Sequence, residues 1–247
     1  MNIKLYVLPA SHPCAAVEQA LRLKSIEFDR VDLIPMTQMV IGPLRYGGPT
    51  VPGMRIDGEK LVGSRTIMRR LDQLRAEPPL LPPPGDERYA PVLEAERWGD
   101  EVLQSVPRRI IDVAFLRRPH AMLSYASDAK LPLPSALMKP AAPLTAKLMA
   151  FKNKARDASA RADIAALPSQ LDRVDRWIAE GLIGGEPNAA DLQIGSTIRL
   201  LMSIGDVRPL IEGRPAAKLA NWFPPLVGEI EAGVLPAEWF PAAPVAA

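Results

Sequence analysis

The sequence predicts a small α/β domain followed by a larger all-helical domain. Three features of the chain do so. Apolar residues alternate at Ile3, Leu5 and Val7 with the period of a strand, and further strand-like stretches follow before residue 63. The block Glu77-Pro78-Pro79-Leu80-Leu81-Pro82-Pro83-Pro84-Gly85 then denies the backbone both helix and sheet hydrogen bonding. Beyond it, Leu171, Val174, Trp177 and Ile178, and again Leu192, Ile198, Leu201 and Met202, recur at helical spacing without a convincing strand. The expected organisation is an N-terminal domain over residues 1–76, a proline-rich linker over 77–86 and a helical domain over 87–247.

Taken in order, the first strand stops at Pro9, ahead of the polar turn Ser11-His12-Pro13. Pro13 suits the first turn of a helix, in which Val17, Ala20, Leu21 and Leu23 form the apolar face while Glu18, Gln19, Arg22 and Lys24 point outward. Phe28 to Leu33 reads as a second strand. Met54–Ile56 and Lys60–Val62, joined at Asp57-Gly58-Glu59, read as a hairpin. Ser64 then caps a helix with Ile67, Leu71 and Leu74 on its buried stripe. The order through residue 75 is β-α-β, a loop, then β-β-α. Near the other end, Asn188-Ala189-Ala190-Asp191 precedes an apolar helix and reads as an N-capping box. The last residues, Pro241 to Ala247, read as a frayed tail.

Composition narrows the function. With 247 residues, 48% of them hydrophobic, the chain can bury a sizeable core. Its 30 basic and 28 acidic residues are spread through the chain, and aromatic residues are only 5%, so neither a global field nor a stacking platform argues for nucleic acid. One cysteine, Cys14, excludes an intramolecular disulfide and a multi-cysteine zinc site, and two histidines, His12 and His120, make a metal site an unsuited expectation. No apolar run approaches a membrane span and the start lacks a cleavable leader, so a cytoplasmic location is expected.

The order of elements, the Ser-x-x-Cys turn from Ser11 to Cys14, Val51-Pro52 ahead of the third strand, and the proline link to helices together resemble the glutathione transferase superfamily over nearly the whole chain. The resemblance implies an α+β thioredoxin-like N-terminal domain followed by an all-α helical bundle. It implies glutathione as co-substrate, with Ser11 touching its sulfur. Pro52 would follow a cis bond, and Val51 would offer main-chain N–H and C=O to the cysteinyl part. Gly63-Ser64 falls where such proteins usually place Glu-Ser or Gln-Ser to hold the γ-glutamyl group. Ser64 at a helix start still favours a carboxylate. Gly63 leaves the ammonium without its acid, and Arg65 would repel that ammonium while attracting a carboxylate, so another low-molecular-weight thiol is an alternative ligand. The resemblance also implies detoxification of a hydrophobic electrophile held by the helical domain, and a homodimer.

Several candidates keep two readings. The Ser11 hydroxyl either donates to a thiolate or caps the helix. Cys14, in the first helical turn, is either a nucleophile for thiol-disulfide exchange or a small inward-packed residue, the second being favoured. His12 is expected to be an exposed loop histidine. The stretch 129–156 holds Lys130, Lys139, Lys147, Lys152, Lys154 and Arg156 without an acid, and Leu144, Leu148 and Phe151 share a helical face. That face is expected to pack within the helical domain, with solvated lysines; peripheral contact with an anionic membrane is the other use. Pro119, Pro132, Pro134, Pro140 and Pro143 mark an insertion that could cover the substrate site, and Arg108-Arg109 and Arg117-Arg118 read as a solvated face rather than an anion site.

Overall fold

The computed structural model describes residues 1–131 and 135–241, so Pro132, Pro134 and the 242–247 part of the expected tail lie outside the described residues. The N-terminal domain is built on four strands, β1 (Ile3–Val7), β2 (Asp29–Asp32), β3 (Gly53–Ile56) and β4 (Glu59–Val62), in the spatial order β2-β1-β3-β4. β1 runs parallel to β2 and antiparallel to β3, with Leu5 opposite Arg30 on one side and Met54 on the other. The β3–β4 hairpin turns at Asp57 and Gly58, both with positive φ (47° and 102°), which suits the twist of a two-residue connection.

Helices α1 (His12–Leu23) and α3 (Ser64–Leu74) bury Val17, Ala20, Leu21, Ile67, Met68 and Leu71 with Ile3, Leu5 and Val7 of the sheet. Between β2 and β3 lies a helix that the pattern conceals, α2 (Gln38–Arg45), because Gly42-Pro43 reads as a breaker; Pro43 is nevertheless accommodated inside it. Glu18 and Lys24 correct the expected outward face of α1, since both are buried. The Lys24 ammonium stands 2.7 Å from Asp72 Oδ1 and donates to the main-chain oxygens of Arg75 (2.6 Å) and Pro78 (2.7 Å). A buried cation is tolerated when every donor has such a partner. Glu18 is flanked by Arg22 and Arg30, each at 3.4 Å.

The helical part begins with α4 (Tyr89–Trp98), which passes through one π-helical turn, Gly99–Leu103, into α5 (Ser105–Arg117). A 3-10 stretch (Pro119–Ala126), α6 (Ser135–Met138), α7 (Ala142–Lys152), the long α8 (Asp157–Ala179) and α9 (Ala189–Met202) follow. Helix α9 is central: it packs against α1 and α4, and its Ala189 and Leu192 join the core of the N-terminal domain. Its start is the predicted capping box. Asn188 Oδ1 accepts from the N–H groups of Ala190 (2.9 Å) and Asp191 (3.2 Å), while Asp191 Oδ2 accepts from Asn188 N–H at 3.0 Å.

Helix α7 overturns the expected packing of its large residues. Ala142, Ala146 and Ala150 face the core, whereas Leu144, Leu148 and Phe151 are exposed, Phe151 by 86%. Small residues let α7 lie close to α5, so the larger apolar side chains of the helix point outward. Among the described residues no helix is long and apolar enough to cross a membrane.

Candidate active site

A cavity of about 280 Å³ lies between the two domains and is lined by both. Its N-terminal wall is made by Leu8 to His12 after β1, by Ile34, Pro35, Met36 and Gln38, and by Thr50-Val51. The opposite wall comes from α5, the 3-10 stretch, α6 and α7, including Ile111, Phe115, Met122, Tyr125 and Met149. The expected insertion near residues 115–150 thus lines the cavity. Ala10 and Met36, both on the wall, have positive φ (56° and 77°); non-glycine residues pay for that geometry and it clusters at functional sites.

Ser11 occupies the N-cap position of α1, yet its hydroxyl makes no capping hydrogen bond, and the residue lines the cavity. The simple cap role is therefore absent. Cys14 lies one turn deeper and is buried in the N-terminal core. Burial pushes its thiol up to about 12, although the Ser11 hydroxyl beside it and the Leu8 main chain act the other way. At neutral pH it is a thiol, without the thiolate character of a nucleophile. His12 is not the exposed loop residue expected: it is 3% exposed, the first residue of α1, and lines the cavity. Burial, then the charge of Arg108, hold its ring well below the usual histidine range, and Nε2 has no partner.

The bond between Val51 and Pro52 is cis, and Val51 reaches the cavity. Of the predicted ligand-binding residues, Ser11 and Val51 line the cavity, whereas Pro52, Gly63, Ser64 and Arg65 do not. Gly63 is the N-cap of α3, with φ +89°, a backbone geometry that favours glycine. Ser64 is the first helical residue rather than the expected cap, and it is 3% exposed; its hydroxyl donates to Gln193 Oε1 of α9 at 2.9 Å. The Arg65 guanidinium lies 3.3 Å from Glu101 and 3.5 Å from Glu96. These contacts belong to a polar seam between the domains, in which Arg69 also grips the fully buried Glu96 in a bidentate pair (2.6 and 3.0 Å).

From Ser64 the seam runs on toward the cavity. Gln193 Nε2 donates to Asp100 Oδ1 (3.4 Å), Gln104 Nε2 donates to the same oxygen (2.7 Å), and Arg108 donates to Gln104 Oε1. Asp100 sits within the π-helical turn, a feature frequent at functional sites. Of the four arginines weighed from sequence, only Arg108 lines the cavity; Arg109 is paired with Asp163, and Arg117 with Asp157 and against the Trp239 ring. Lys152, expected to be merely solvated, stands at the exposed rim of the same cavity, beside Asn153. Asn153 donates to Asp112 Oδ2 at 2.7 Å, and burial pushes the Asp112 carboxyl up to about 6. In the sequence neither the amphipathic period nor any motif distinguishes Lys152 or Gln104 as a site residue.

Residues 5–79 match the family described as glutathione S-transferase, N-terminal domain. No curated protein sequence matches the chain significantly. Among solved structures it is similar to a glutathione S-transferase from Sinorhizobium meliloti 1021, with 16% identity, 97% of this chain and 99% of that one covered, and a TM-score of 0.62. It is also similar to the beta-etherase LigF from Sphingobium sp. strain SYK-6, with 16% identity, 90% and 93% covered and a TM-score of 0.64. A maleylacetoacetate isomerase from Anaeromyxobacter dehalogenans 2CP-1, crystallised with dicarboxyethyl glutathione, gives 18%, 90%, 87% and 0.53. At these identities the likeness is one of fold.

Proposed function

We propose, for a chain that belongs to the glutathione transferase superfamily, that the interdomain cavity binds glutathione or a related thiol and joins its sulfur to a hydrophobic electrophile. The observation that carries this is Ser11: a helix-start hydroxyl with no capping bond, on a wall shared with Val51 and facing an apolar opposite wall. A thiol near pKa 8.5 is mostly protonated at neutral pH, so its anion needs a donor and positive potential. The Ser11 O–H would supply the donor and the N-terminus of α1 the potential. The thiol proton passes to solvent and the thiolate lone pair forms the new C–S bond. With an aryl halide, the halide departs with the electron pair of the broken carbon–halogen bond, so no general base is required of the protein. The Val51 main chain would align the peptide.

The γ-glutamyl end fits less well. Gly63 offers no acid, and the Ser64 hydroxyl is committed to Gln193. This favours a thiol held by its cysteinyl part, and it also supports a second reading in which the fold binds apolar ligands without catalysis. Calorimetric titration of the whole chain with glutathione separates the two. Saturable binding together with turnover of an aryl halide supports the transferase; no thiol binding with retained apolar-ligand binding selects the second reading. The buried, protonated Cys14 gives no comparable support to a thiol-disulfide role. A homodimer, read out by light scattering, and a cytoplasmic role in detoxification complete the proposal.

A further inference from the structure

We infer that the second ligand of this cavity is an organic anion, an apolar body bearing a carboxylate that is seated at the end formed by Arg108 and Lys152. Calling that ligand a substrate rests on the transferase proposal; its charge does not. Among the described residues, Arg108 and Lys152 are the charged side chains on the cavity wall, and no aspartate or glutamate lines it. Neither cation is in an ion pair among the described residues; Arg108 has only the neutral Gln104 amide oxygen as its hydrogen-bond acceptor. The nearby acid Asp112 is 1% exposed, lies behind the wall and is held by Asn153. Asp100 is likewise off the wall and shared by two glutamine amides.

Two positive groups thus face one small cavity. Burial pushes the Arg108 guanidinium below its usual range, and burial together with Arg108 pushes Lys152 down, so each cation is less favourable there than in water. An anion between them relieves both costs. A carboxylate suits the planar fork of Arg108, and the seam through Gln104 and Asp100 fixes the direction of that fork. His12, buried beside Arg108 and held neutral, adds no competing charge at the same end. The rest of the wall, Ile111, Phe115, Met122, Leu123 and Met149, accepts the apolar body.

The test is calorimetry of the full chain with 4-phenylbutyrate and its neutral analogue 4-phenylbutanamide, with and without saturating glutathione. The acid is expected to bind about ten-fold or more tightly than the amide, the size of a charge-assisted contact. Arg108→Gln and Lys152→Gln should each reduce that ratio several-fold, the double variant should bring it close to one, and Lys152→Arg should keep it. Equal binding of acid and amide overturns the inference, as does a preference that survives both glutamine variants. So does displacement of the acid by glutathione together with weaker glutathione binding in Arg108→Gln, because the cations would then serve the thiol's own carboxylates. Should glutathione fail to bind at all, the transferase proposal falls while the acid-to-amide ratio still decides this one. Should Arg108→Gln fail to fold, an unchanged ratio in Lys152→Gln overturns it.

Discussion

Ser11 and Ser64 start as equivalents and end as opposites. Each stands at the beginning of an amphipathic helix in the N-terminal domain, where a hydroxyl either caps the helix or meets a ligand. Ser11 makes no capping bond and faces the cavity; Ser64 is buried and donates to Gln193 from the helical domain. The difference is not in α1 or α3 but in what the second domain sets opposite each of them. A helix-start hydroxyl becomes available for chemistry only where the partner domain leaves space.

Replacing the two serines is the sharpest way to break this comparison. Ser11→Ala should lower kcat/KM for thiol conjugation about 100-fold, the usual loss of one preorganised donor, while stability changes by less than about 0.5 kcal/mol because no capping bond is lost. Steady-state kinetics and urea denaturation read the two quantities, and unchanged turnover removes Ser11 from the mechanism. Ser64→Ala should do the reverse. It leaves Gln193 Oε1 unpartnered in a buried seam, at a cost of about 1–2 kcal/mol, and leaves thiol affinity within about two-fold. Lost affinity at unchanged stability would return Ser64 to the ligand.

Gly63 sharpens the same contrast from the other side. An acid at this position would restore what the resemblance leads one to expect, but the backbone φ of +89° disfavours any side chain with a Cβ, even though that atom would meet nothing within 4 Å. Gly63→Glu is expected to cost about 1–3 kcal/mol through backbone strain, because the positive φ is combined with an extended ψ of 141°, and to leave glutathione affinity unimproved. Calorimetry showing tighter glutathione binding by this variant would mean that the γ-glutamyl group does reach the start of α3.

What was legible in the sequence followed short-range rules. The strands, the Asp57-Gly58 turn, the capping box at Asn188 and Asp191, and the division into an α+β and a helical part all depend on residues a few positions apart. The errors have the opposite character. Lys24 reads as solvent-facing because its period is right, and it is buried because Asp72, Arg75 and Pro78 arrive from about fifty residues away. Leu144, Leu148 and Phe151 do share a helical face, but Ala142, Ala146 and Ala150 take the inside because α7 approaches α5 closely. At the site, Ser11 and Val51 could be named from a motif, whereas Arg108 and Lys152 join them only through the packing of two domains.

His12 carries the smallest and most informative of the expected effects, because it adjoins Ser11 and titrates, while no comparable group adjoins Ser64. Its buried ring is held well below the usual range, first by loss of solvent and then by Arg108. In the unfolded chain a histidine takes its proton near pH 6.5. The unfolded state therefore binds the proton first as pH falls, so this group's contribution is intact above about pH 6.5 and is lost on acidification. Asp112 and Asp191 act with the opposite sign. Their carboxyls are pushed up to about 6 by burial, so between about pH 6 and pH 4 the folded chain takes those protons first and gains stability. The raw pH profile mixes the two trends, and the difference between the parent chain and His12→Gln isolates the histidine. From pH 7.5 to pH 5.5 the parent should lose about 1 kcal/mol more than the variant in urea denaturation. Parallel profiles would mean that His12 takes its proton as readily in the folded chain as in the unfolded one, and that the Ser11 end of the cavity is open to water.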